Sequence, residues 1–194
     1  MINCTCRIHF EELEENVSKA NGIRRGCERG ASIVVSFDTK VVLQMPRGNI
    51  EIVEPRALLF DKLGKVLESE KIDWKLAFKM CRRQRVNLNL LVDHSGIDEF
   101  STRDFYTALL PDFRDKNAVA AFNTFLFELE EQNCTLIGGL YSEVYHRDTP
   151  PSEKNKVTCV CSDLCQIMEE DELSPHILSI YLHALLKLKG RGDL

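Results

Sequence analysis

No run of this sequence is apolar for the roughly 18 to 20 residues that a membrane-crossing helix needs. Glu11, Glu12, Glu14 and Glu15 stand where a secretory leader would carry its apolar centre. The expectation is a chain with neither a span nor a leader. Positive charge is also short: 25 Lys and Arg against 30 Asp and Glu leave a net −5. The molecule as a whole repels phosphate, and nucleic-acid binding requires a local basic patch. Gly138-Gly139 is followed by neither a spaced glycine nor Lys-Ser/Thr, so it is not a phosphate-cradling loop. The eight cysteines include no Cys-x-x-Cys pair and no regular spacing. That pattern excludes a recognisable disulfide framework and predicts free thiols in a reducing compartment, the cytoplasm or the nucleus.

What is present is the balance of a globular protein, 44% hydrophobic and 28% charged, with one change of periodicity. Ala31 to Phe37 is rich in β-formers, Asp38-Thr39 is a turn, and Lys40 to Met45 is a second strand whose valines and leucine suit a mostly buried surface. Pro46-Arg47-Gly48 turns the chain into Asn49 to Val53, with Ile50 and Ile52 on one face. Pro55 stops that strand and suits a first helical turn. Met1 to Phe10 alternates weakly as a further strand, and the charged stretch Glu11 to Glu28 reads as a loop because of Asn21-Gly22 and Gly26.

Beyond Pro55 the spacing becomes helical. Leu59, Phe60, Leu63, Val66 and Leu67 predict a helix over Ala57 to Glu68, and Asp73 caps a second with Trp74, Ala77, Phe78 and Cys81 inward. Asn87 to Val92 continues as a short apolar turn or helix closed by Asp93-His94-Ser95-Gly96. Ser101 opens another helix, with Phe105, Ala108 and Leu109 inward and Pro111 at its end; Asn117 to Glu131 follows with Val119, Phe122, Leu126 and Leu129 in register. Gln132 to Asn155 reads as a long surface loop. Val157 to Glu169 and Pro175 to Lys189 form a last pair, the latter opened by Ser174-Pro175 and closed by Gly190. The expected fold is mainly α: an irregular helical solenoid over 55–194, preceded over 1–54 by a short antiparallel β-meander. The apolar residues on two faces of the last helix, Leu178, Leu182 and Leu185 beside Ile177, Tyr181, Ala184 and Leu188, predict a further covering helix.

Candidate chemistry is sparse. Asp93-His94 pairs a carboxylate with an imidazole, but adjacent residues seldom face each other and no nucleophile motif accompanies them, so a polar helix-ending turn is the better reading. Cys159, Cys161 and Cys165 with His146 or His176 lack the second matched pair of a structural zinc site and read as packed thiols. Lys75, Lys79, Arg82 and Arg83 form a basic stripe on the second helix, a candidate RNA or partner contact. Four charges on a net-acidic chain without interleaved aromatics predict only weak RNA binding. No catalytic, cofactor-binding or metal-binding residue is assigned.

Two stretches carry a resemblance: Asp38-Thr-Lys-Val-Val-Leu-Gln-Met-Pro-Arg-Gly-Asn-Ile-Glu51, and Ala77-Phe-Lys-Met-Cys-Arg-Arg-Gln-Arg-Val-Asn-Leu-Asn-Leu-Leu-Val-Asp-His94. Together they are similar to the Elongator complex protein 1 family, in one register from about Glu28 to the Cys165-to-Glu169 helix. The resemblance implies a junction between the end of a second WD-type propeller, of which 1–54 is a partial blade, and a tetratricopeptide-like solenoid. It implies a non-catalytic scaffold within an assembly that installs carboxymethyl-derived groups on the wobble uridine of tRNA. The chemistry would belong to a separate radical-SAM, acetyl-CoA-dependent subunit, with a WD-repeat subunit as a further partner. Relative to the family, the chain is expected to be a fragment lacking most of both propellers and the later solenoid. Ser95-Gly96 follows Asp93-His94 where the family pattern has Asn-Pro. An independent helical interaction adaptor without an Elongator role is the rival reading, and a thiol- or metal-dependent hydrolase comes last.

Overall fold

The structure, a computed structural model, describes residues 6–10, 23–134, 152–170, 175 and 177–191, with side-chain environments for 26–134, 152–170, 175 and 177–190. The chain divides into two compact units, Met1–Lys62 and Leu63–Leu194.

In the first unit β1 (Cys6–Phe10) and β2 (Ile23–Cys27) form an antiparallel pair, and β3 (Ser32–Phe37), β4 (Lys40–Gln44) and β5 (Ile50–Val53) form a three-stranded meander. β2 lies inside the stretch expected to be loop. Its hydrogen-bonding partner is β1, with Gly26 opposite Arg7, and a ladder supplied from a distant segment overrides the local signal of a glycine. Both meander turns follow the expected chemistry. Asp38 takes a left-handed φ of 52°, and Lys62 pairs with its carboxylate. At the second turn Gly48 has φ +86° and donates its N–H to the Met45 carbonyl at 2.8 Å.

Strand alternation sends Val41, Leu43, Met45 and Val53 into a small core with Cys27, Ala31 and Leu58. The expectation that β4 buries its valines and leucine alike is met on one face only. Val42 pairs with Val35 on one side and Ile52 on the other, and Val35, Phe37, Ile50 and Ile52 on that outer face are exposed. Thr39 is buried and donates to Glu54 Oε1 at 2.7 Å, tying the β3–β4 turn to the end of β5.

Among the described residues seven helices follow: α1 (Arg56–Leu67), α2 (Trp74–Gln84), α3 (Leu90–Asp93), α4 (Thr102–Leu109), α5 (Lys116–Glu128), α6 (Lys156–Glu170) and α7 (Leu178–Arg191). Three carry side-chain caps that satisfy free N–H groups of the first turn: Asp73 for Leu76, Ser101 for Asp104, and Asp115 for Asn117. Pro111 sits in a 3-10 turn, Leu110–Asp112, that ends α4. Of the expected Gln132-to-Asn155 loop, residues 135–151 lie outside the described residues, and its two ends carry neither helix nor strand.

Two helix boundaries differ from expectation. α5 stops at Glu128 instead of Glu131, with Leu129 already extended. α7 begins at Leu178, three residues past Pro175, and runs through Gly190 to Arg191. Glycine inside a helix costs only about 1 kcal/mol relative to alanine, which the flanking turns tolerate. Ser174 and His176 lie outside the described residues.

The second unit is a helix-on-helix stack in which α4 packs on α2 and α6, and α7 on α5 and α6. Its centre is aromatic. The Phe105 ring lies 5.5 Å from Trp74, 5.9 Å from Phe78, 5.6 Å from Phe100, 5.6 Å from Phe122 and 5.2 Å from Phe125. Ile180, Ala184 and Leu188, four residues apart on α7, are buried, while Leu178, Leu182 and Leu186 form an exposed stripe. Among the described residues no helix is long and apolar enough to cross a membrane.

Two phenylalanines of one helix should behave oppositely. Phe122 is fully buried, so Phe122→Ala should cost about 3–5 kcal/mol. Phe127 is 78% exposed, so Phe127→Ala should change stability by less than about 0.5 kcal/mol. Urea unfolding of the three chains checks both; equal losses would contradict the packing described.

Candidate functional site

The basic stripe lies on α2, but its members do not share one environment. Lys75, near the start, is taken up by Asp112 at 2.7 Å, whereas Lys79, Arg82 and Arg83 are exposed without an ion pair among the described residues. Arg82 instead joins a group of residues that sequence spacing could not assemble. The end of α2 and the end of α5 border an open groove of about 650 Å³, lined by Arg82, Arg85, Leu88, Phe127, Glu128 and Glu130 among others.

Backbone geometry sets Arg85 there. It occupies the left-handed position after α2, φ 53°, and Val86 N–H reaches back to the Cys81 carbonyl at 2.9 Å, closing the helix end. Asn89 then fastens the opposite wall. Its side-chain amide donates to the Glu128 carbonyl at 2.5 Å and to Asn87 Oδ1 at 2.9 Å, and its carbonyl accepts from the Glu130 N–H at 2.9 Å. A residue only 2% exposed thus has both ends of its amide satisfied. Because Asn89 captures the Glu128 carbonyl, α5 ends at this residue, and Phe127 is held at the groove. Lys187 of α7 donates to the Phe127 carbonyl at 2.9 Å, a third hold on the same turn.

Asp93-His94 proves to be a buried tether. One Asp93 oxygen accepts from Lys156 Nζ at 2.7 Å and the other from the Cys134 N–H at 2.8 Å. Lys156 Nζ also donates to the Gln132 carbonyl at 3.0 Å. The carboxylate is therefore committed to α6 and the 132–134 segment and is not oriented to serve the His94 ring. His94 is itself buried, with Nε2 4.0 Å from Glu68 Oε1. Gly96, at φ +80°, donates to the Val92 carbonyl at 3.0 Å and closes α3.

The thiols point away from reactivity. Burial pushes Cys81 up to about 12. Burial, with the Asp93 carboxylate adding to it, raises Cys134 further. Cys159 and Cys165 are likewise raised by burial, with Asp163 and Glu169 contributing. A nucleophile needs the opposite shift, toward thiolate. Among the described residues no three His, Cys, Asp or Glu side chains converge as a metal would require; His146 and His176 lie outside them.

Sequence reasoning missed Arg85, Phe127 and the Asn89 and Lys156 tethers. Only Arg85 left a signal, as the next cation after Arg82-Arg83-Gln84; the others depend on the way α2, α3, α5 and α6 meet.

Comparison with known proteins returns one consistent set. The ELP1 alpha-solenoid family pattern matches residues 56–191. The chain is 36% identical over 168 residues to Elongator complex protein 1 of Drosophila melanogaster, covering 83% of this chain and 12% of that protein. It is 35% identical over 176 residues to the Rattus norvegicus protein of the same name, covering 89% and 12%. Against the Schizosaccharomyces pombe protein it is 35% identical over 143 residues, covering 71% and 10%. The chain therefore spans about an eighth of the length of the relatives it matches.

Removing one partner of the Asp93–Lys156 pair leaves a buried charge uncompensated. Asp93→Ala or Lys156→Ala should therefore each lose about 3–5 kcal/mol, whereas the apolar pair Asp93→Leu with Lys156→Met should recover most of that loss. Chemical denaturation of the single and double variants measures the coupling; additive losses would show that the two groups act independently.

Proposed function

The chain belongs to the Elongator complex protein 1 family, and from that premise we propose that it is a non-catalytic scaffold segment of Elongator, contributing to carboxymethyl-type modification of the wobble uridine in tRNA. The observation that carries this reading is the solenoid pattern over residues 56–191, coinciding with a helix stack whose polar interior groups are spent on holding helices together. Asp93, Lys156 and Asn89 each have their hydrogen-bonding capacity committed to neighbouring segments, and the thiols Cys81, Cys134, Cys159 and Cys165 are shifted toward the inert form. Catalysis requires groups converging on a substrate; these converge on one another.

In this reading the strands before residue 55 are a partial propeller blade, and the helices offer packing surfaces to the radical-SAM acetyltransferase subunit and to the WD-repeat subunit. The protein acts in the cytoplasm and also in the nucleus. Its contact with tRNA is weak, since Lys75 is neutralised by Asp112 and three further cations release few counterions.

Expression of the tagged chain in cells lacking the full-length scaffold tests the proposal. It should co-purify with at least one Elongator subunit and yet fail to restore carboxymethyl-type wobble uridine in tRNA nucleoside mass spectrometry. Absence of every Elongator subunit would favour an independent adaptor. Restored modification would mean that this segment suffices, contrary to its reading as one part of a scaffold.

A further inference from the structure

Among the described residues β3 alone of the five strands carries no charged residue, and its six residues, Ser32-Ile-Val-Val-Ser-Phe37, include no glycine and no proline. It is an edge strand, hydrogen-bonded to β4 on one side and, among the described residues, to no strand on the other. Its whole length is exposed, with Ile33, Val34, Val35 and Phe37 each between 47% and 61% accessible. The opposite edge of the meander differs, since β5 carries Glu51 and its Val53 is buried. A free edge presents unpaired backbone N–H and C=O groups, and proteins ordinarily blunt it with lysine, proline or a bulge. β3 has only the last of these, between Ile33 and Val35.

We propose that the free edge of β3 pairs antiparallel with β3 of a second copy of this chain, joining two three-stranded meanders into one sheet about a two-fold axis. A row of backbone donors and acceptors is met by an extended strand, not by a helix. The occupant must bring no charge, because its side chains come to lie beside Ile33, Val34, Val35 and Phe37. β3 itself meets that requirement. Paired about its centre, it sets Val34 against Val35, Ile33 against Ser36 and Ser32 against Phe37, with no like charges opposed. The bulge selects the same partner: a regular strand runs straight where β3 bends, whereas a second β3 bends at the same place. A second β3 is also already extended in its folded chain, so little ordering entropy is lost on pairing. The assembly closes at two copies, because pairing consumes both β3 edges and leaves the β5 edges outermost, each with its Glu51. Two six-residue strands bury little area, which sets the dimer at the weak end of protein association. The pairing requires no Elongator subunit.

Sedimentation velocity of the whole chain from about 1 to about 200 μM, the range of weak dimer affinities, should show a monomer passing to a dimer and to nothing larger. Val34→Lys places a lysine on the exposed edge and should weaken the dimer about tenfold or more, with the far-ultraviolet circular dichroism and the thermal midpoint retained. Ile52→Lys on β5 and Leu182→Lys on the exposed stripe of α7 should leave the dimer unchanged. Hydrogen exchange of the unsubstituted chain gives an independent reading. The amides of residues 32–37 should exchange more slowly as concentration rises, and those of residues 50–53 should not. A monomer at every concentration, assemblies beyond a dimer, a dimer indifferent to Val34→Lys, or one lost equally with Ile52→Lys or Leu182→Lys would each overturn the inference. So would exchange of residues 32–37 that concentration does not change.

Discussion

The second unit depends on one ring. Phe105 is fully buried and contacts five other aromatic rings contributed by α2, α5 and the turn before α4. Edge-to-face and stacked arrangements at these separations add directional preference to the burial of large apolar surfaces. Interiors packed at this density interdigitate and resist sliding, and here the interdigitating groups are rings. That constraint bears on where α2 ends relative to α5, the two helix ends that border the groove.

Around this apolar centre, polar side chains do the work of backbone pairing. Asn89 bonds both sides of the chain leaving α5, and Asp93 and Lys156 join α3, α6 and the segment between α5 and α6. A helix stack joined by irregular segments leaves carbonyls and N–H groups without ladder partners, and each buried one must be met. Side chains meet them here, at the cost of burying a charged pair. The consequence is functional as well as structural: a carboxylate and an amine of the kinds that catalysis uses are committed to holding segments together.

Exposed apolar surface follows a different logic in each unit. In the meander, strand alternation turns Val35, Phe37, Ile50 and Ile52 outward as surely as it turns Val41, Leu43 and Val53 inward. In α7 the stripe Leu178, Leu182 and Leu186 stands opposite the buried Ile180, Ala184 and Leu188. Apolar faces of this kind fit a segment about an eighth the length of its relatives and the solenoid habit of covering each helix pair with the next.

Local chemistry determined much by itself. The change from alternating to helical spacing at Pro55, the Asp73 and Ser101 caps, and the Asp38 and Gly48 turns each depend on a few neighbouring residues, and each was legible in the sequence. So was the family, through long runs of residues that spacing alone does not specify. Tertiary structure decided the rest. β2 exists because β1 pairs with it, α5 stops at Glu128 because Asn89 takes its carbonyl, and Asp93 is a tether because Lys156, 63 residues away, reaches it. The basic stripe was legible as a charge pattern, but its reduction by Asp112 and its extension to Arg85 and Phe127 were not. Periodicity and caps report on the chain within a turn or two, while burial, pairing and the neighbours of a charge are set by segments tens of residues apart that meet only when the rings of the core have locked.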